Sequence, residues 1–94
     1  MVRLSREERE SIKSAIGKFD PHAKIYIFGS RTDPHKKGGD IDLLIISDLL
    51  KDEHKLDIKH ELFQNIEEQK VDIIIAKDET DPFVKIALSE GIQL

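Results

Sequence analysis

Residues 28–46 read FGSRTDPHKKGGDIDLLII, and the fold of the whole chain turns on this stretch. It leaves an apolar segment through Gly29-Ser30, crosses a loop rich in Pro, Gly and charge, and enters an aliphatic run headed by Asp40 and Asp42. Side chains of a strand alternate faces, so Asp40 and Asp42 project to one side while Ile41 goes to the other. Two carboxylates at one strand end repel each other and lose hydration unless a cation or a proton lies between them. A divalent metal meets that need. The run that follows the acids is almost continuously apolar, as expected of a central strand covered on both faces.

Outward from this stretch, residues 24–28 (KIYIF) are β-branched and aromatic and read as a buried strand. Before them, Ser5-Arg6-Glu7-Glu8 has the form of a capping box that opens a helix. Ile12, Ala15, Ile16 and Phe19 make its buried stripe, and Asp20-Pro21 ends it. Downstream, residues 52–69 read as a second helix, with Ile58, Leu62, Phe63 and Ile66 facing inward. Residues 71–76 (VDIIIA) read as a third strand in which Asp72 is the only polar member. An acid in so apolar a segment is uncommon unless it is paired or binds a metal. Asp81-Pro82 supplies an N-cap and a first-turn proline to a last helix, whose apolar face is expected from Phe83, Ile86 and Ala87 and whose C-cap is expected at Gly91. The order helix, strand, strand, helix, strand, helix describes a small mixed α/β (α+β) domain. The 94 residues are expected to form one such domain.

Composition narrows the functions open to it. A formal net charge of -4 gives no general attraction to nucleic acid, so any such contact has to be local. The absence of cysteine excludes disulfides and thiolate metal sites. The charged N-terminal residues do not resemble a signal peptide, and no apolar run, residues 43–46 included, exceeds four residues, far too short to span a bilayer. The expectation is a soluble, cytoplasmic protein without a membrane partner.

Three features can converge on one site: the Gly29-Ser30 turn, the Asp40/Asp42 pair, and Asp72. Gly29 lets backbone approach a phosphate closely, and the turn amides with the Ser30 hydroxyl can donate to phosphate oxygens. Three carboxylates can hold two Mg²⁺ ions about 4 Å apart, which suits in-line phosphoryl displacement. The chemistry implied is nucleotidyl transfer from a nucleoside triphosphate. Arg31, and more weakly Lys36 and Lys37, are candidates to neutralise phosphate charge. No G-x-x-x-x-G-K-[ST] is present, and no pair of histidines has H-E-x-x-H spacing, so neither a Walker-type ATPase nor a zincin fits.

Gly29-Ser30, a spacer, Asp40-x-Asp42 on the next strand and a lone Asp72 on a later one resemble the signature of the DNA polymerase β-like nucleotidyltransferase superfamily. The small size and FGSRTDPHKKGGDIDLLI look most like its minimal nucleotidyltransferases, the MNT-domain proteins. The likeness covers nearly the whole chain and implies a polymerase β-like palm fold. It also implies roles for single residues. Gly29, Ser30 and Arg31 would bind the triphosphate. Asp40 and Asp42 would bridge two Mg²⁺ ions, and Asp72 would bind the catalytic ion and help activate the attacking hydroxyl. One departure is mild: Gly39 stands where the family commonly has Ser. The resemblance further implies transfer of a nucleoside monophosphate, AMP from ATP being the expected case. The acceptor hydroxyl would lie on a HEPN-domain partner, with this chain as antitoxin. The alternative is a non-catalytic antitoxin that binds metal or nucleotide and acts by contact. Self-association is the other route to completing so small a pocket, and an exposed apolar patch is expected as the partner surface.

Overall fold

The computed structural model describes residues 4–29 and 41–94. Helix α1 spans Arg6–Gly17, strand β1 Lys24–Phe28, strand β2 Ile41–Ile46, helix α2 Lys55–Leu62, strand β3 Val71–Ala76, helix α3 Pro82–Glu90 and strand β4 Ile92–Gln93. The strands form one mixed sheet in the order β3-β2-β1-β4. β1 runs antiparallel to both β2 and β4, whereas β2 and β3 are parallel and joined by the α2 crossover. No described helix is long and apolar enough to cross a membrane.

The capping box opens α1 as its sequence requires: the Glu8 amide donates to the Ser5 hydroxyl (3.0 Å) and the Ser5 amide to the Glu8 carboxylate (3.1 Å). Ile12, Ala15 and Ile16 are buried against one face of the sheet, with Ile25, Ile27, Leu43, Ile45 and Ile73 below them and Ile58 and Leu62 of α2 beside them. The other face carries Leu44, Tyr26, Phe28, Ile46 and Ile74, and α3 covers it with Val84, Ala87 and Leu88. β2 is therefore sandwiched between helices, which is why its sequence shows no alternation after Asp42.

Three local differences from the sequence reading have physical causes. A helix through residues 52–69 would be about 27 Å long, against about 20 Å for the strands it must run beside. The chain instead makes a 3-10 turn at Asp52–His54, forms α2, and unwinds after Leu62 through shorter bonds from the Gln64 amide to Glu61 and the Asn65 amide to Leu62. Ile66 still reaches the core, but from a loop. In α3 the buried face is Val84 and Ala87; Phe83 (50% exposed) and Ile86 (58%), expected inside, point outward. A nine-residue helix lying on a sheet buries one stripe, and Val84, Ala87 and Leu88 occupy it. β4 was not expected at all, because two residues show no period. It pairs with Tyr26 and Ile27, and the Leu94 amide adds a bond to the Ile25 carbonyl (2.9 Å).

Gly91 caps α3 for lack of room and not for its backbone angles, which are extended. A Cβ there would stand 2.7 Å from the Ala87 carbonyl oxygen and 3.1 Å from that of Ile27. At the other end of α3, the Asp81 carboxylate accepts from the Phe83 amide at 2.7 Å. Asp81→Ala is expected to cost about 1 kcal/mol, a fall of roughly 4–8 °C in Tm, with Asp81→Asn restoring most of it. An unchanged melt for the alanine variant would remove the cap from the account of α3 stability.

Candidate functional site

Asp42 is the second residue of β2 and Asp72 the second residue of β3, and the parallel ladder places them directly in register. Residues paired in this way share a face, and neighbouring strands lie about 4.8 Å apart. The two carboxylates therefore hang from one rung on the face that carries α3. Phe28 of β1 is Asp42's register partner on its other side. Asp42 is half-buried and Asp72 exposed at the sheet edge. The same alternation sends Ile41 and Val71, their neighbours, into the α1/α2 core.

Gly29 follows Phe28 and turns the chain away at φ +77°, a conformation that costs a side-chain-bearing residue. A Cβ at this position would also overlap the Asp42 carboxylate oxygen. Glycine is thus needed here for the turn and for the close seat of Asp42 beside it. Ser30, Arg31 and Asp40, with Lys36 and Lys37, lie outside the described residues. Two of the three acids singled out in the sequence are brought together, next to the expected glycine. Among the described residues no group of three or more His, Cys, Asp or Glu is gathered closely enough to hold a metal ion.

Two grooves among the described residues lie away from the acid rung. The larger groove, about 580 Å³, is bordered by Glu7, Glu8, Glu67, Gln64, Gln69 and their neighbours. That rim offers carboxylates and amides and no basic group, so it would repel a triphosphate. A second groove of about 330 Å³ lies at the far end of the strands, beside Asp20, His22, Lys24, Ser47 and Lys77. Its main feature is structural and escaped the sequence reading, in which Asp20 merely ended a helix. The buried Asp20 carboxylate (4% exposed) accepts from the Ser47 hydroxyl at 2.6 Å and from the His22 amide at 2.9 Å. The Ser47 oxygen in turn accepts from the amides of Leu49 and Leu50.

The polymerase β nucleotidyltransferase family model ("Polymerase beta, Nucleotidyltransferase") matches residues 10–94, which takes in all of the sheet and the acid rung. The chain belongs to this family. No curated protein matches it. A nucleotidyltransferase domain of this kind is consistent with the mixed sheet and the helices on both its faces.

Proposed function

We propose that this nucleotidyltransferase domain moves a nucleoside monophosphate, AMP from ATP, to an acceptor hydroxyl in a Mg²⁺-dependent reaction. The observation that carries the reading is the Asp42/Asp72 rung, set against the Gly29 turn on one face of the sheet. An all-oxygen donor set of this kind fits a hard cation that keeps several waters, as Mg²⁺ does. Asp42 and Asp72, with Asp40 of the D-x-D motif, would hold two ions. Bound there, the metal would supply charge to stabilise the entering and leaving oxygens.

The chain's own residues have the remaining work. Gly29 leaves backbone room for phosphate, with Ser30 and Arg31 as donors to its oxygens. Asp72, exposed at the edge, would accept the proton of an approaching hydroxyl, while Asp42 stands close against Gly29. The hydroxyl oxygen bonds to the α-phosphorus as the bond to the bridging oxygen breaks, and pyrophosphate leaves. The proposed acceptor is a hydroxyl on a HEPN-domain partner in the cytoplasm, with the domain as antitoxin of the pair. Exposed Phe83 and Ile86, one turn apart on α3, favour a role in contact as well. A purely contact-acting antitoxin that binds nucleotide without turnover is the second reading.

The deciding experiment offers α-labelled nucleotides and Mg²⁺ to the protein together with the product of the neighbouring gene. Label on that partner with the wild type, and none with Asp42→Asn or in EDTA, is the expected result. Tight partner binding by both proteins without label would favour the contact reading and overturn transfer.

A further inference from the structure

The two edges of the sheet are unlike. The β4 edge is two residues long, which is one way natural sheets avoid adding strands. The β3 edge is six residues, VDIIIA, with no proline, lysine or bulge, and with Ile74 and Ile75 half-buried where their β2 counterparts Leu44 and Ile45 are fully buried. The bonds from the Ile41 amide to Lys70 (3.2 Å) and from the Ser47 amide to Ala76 (2.9 Å) fix the alternation of the β2–β3 ladder. Even-numbered residues of β3 turn their backbone groups toward β2. Val71, Ile73 and Ile75 turn theirs outward, where no partner lies among the described residues.

We propose that this edge pairs antiparallel with the same edge of a second copy of the chain, giving one continuous eight-stranded sheet. The edge is self-complementary. A two-fold axis perpendicular to a sheet keeps each face on its own side, so outward-bonding residues must meet residues of the same parity. Centring the axis on Ile74 pairs Ile73 with Ile75 of the second copy, and each such pair exchanges two hydrogen bonds. Asp72, the only charge on the strand, then stands opposite Ala76 of the second copy, the smallest side chain available. Centring on Ile73 would instead press Ile74 of the second copy against the Asp72 carboxylate, at a desolvation cost. The chosen register also keeps the two Asp72 carboxylates about 14 Å apart along the strands, beyond the screening length of roughly 8 Å in physiological salt. Each site gains a wall, residue 76 of the other copy. The pairing rests on the strand edge alone and does not depend on whether the domain turns over nucleotide.

Light scattering on the metal-free, nucleotide-free chain is expected to give twice the monomer mass of 10.8 kDa, and Ile75→Lys is expected to give a folded monomer. Should that variant fail to fold, hydrogen exchange on the wild type decides. The Ile73 and Ile75 amides should exchange faster over a roughly hundredfold dilution that dissolves the dimer, while the Ile74 amide, bonded to β2, stays protected throughout. A wild-type monomer, an open-ended assembly, a dimer that survives in folded Ile75→Lys, or concentration-independent exchange at Ile73 and Ile75 would each overturn the pairing.

Discussion

Asp72→Asn is expected to reduce nucleotidyl transfer at least about a thousandfold while the fold stays intact. Metal-assisted charge stabilisation in such a site is worth several kcal/mol, and each 1.36 kcal/mol is tenfold in rate, so losing about 4 kcal/mol gives that factor. Asparagine keeps the shape and removes the charge. Because Asp72 is exposed on the edge strand, the substitution buries nothing and opens no cavity. It also relieves like-charge repulsion with Asp42 across the rung, a term of roughly 0.2–1 kcal/mol, so Tm without metal should hold or rise by a few degrees. Label transfer and a thermal melt in EDTA read the two effects separately. Full activity in the variant would remove Asp72 from the chemistry, and a steep fall in Tm would make its role structural.

The second large effect is on stability, at the opposite end of the sheet. Asp20→Ala would leave the Ser47 hydroxyl and the His22 amide without their acceptor, and Ser47 organises the turn at Leu49 and Leu50. Hydrogen bonds to a charged group are worth about 1.5–3 kcal/mol, so a loss of about 2–4 kcal/mol is expected from a domain total of roughly 5–15. The Ser47 bond holds the Asp20 carboxyl below its usual range; burial opposes it but does not cancel it, and the His22 amide adds to the lowering. A carboxyl with a depressed folded-state pKa stabilises fully above its unfolded value of about 3.9 and loses that contribution as pH falls through the folded value. The gap in urea-unfolding free energy between wild type and Asp20→Ala should therefore be widest near neutrality and shrink below about pH 4. A gap that is constant or grows in acid would show that the charged form is not what stabilises.

What could be read from the chain depended on the range of the signal. The three long strands were legible because KIYIF, DLLII and VDIII are aliphatic in short runs, and Asp72 stood out as the acid such a run should not contain. The caps at Ser5 and Asp81 were legible because a cap is a bond between near neighbours. The length of α2 was not, since it is set by strands elsewhere in the sequence. Nor was the Asp20–Ser47 bond, whose partners are separated by 27 positions and carry no shared pattern. In α3 the apolar residues outnumber what one stripe can bury, so sequence alone could not assign Phe83 and Ile86 to the outside. At the site, residue types named the acids, but only the parallel register puts Asp42 and Asp72 on one rung.

That rung also governs which changes of length the chain can accept. Deleting one residue within β3 would force part of the strand to exchange faces, sending either Asp72 into the aliphatic layer or the isoleucines after it out of theirs. Slipping by two would preserve the apolar pattern yet draw the carboxylates about 7 Å apart along the strands. Aliphatic exchanges at Val71 or Ile73 leave the rung untouched, and the connection at residues 67–69 can lengthen or shorten outside the ladder. Divergent descendants of this domain can thus drift far in residue identity, provided that insertions and deletions fall between the strands and never inside them.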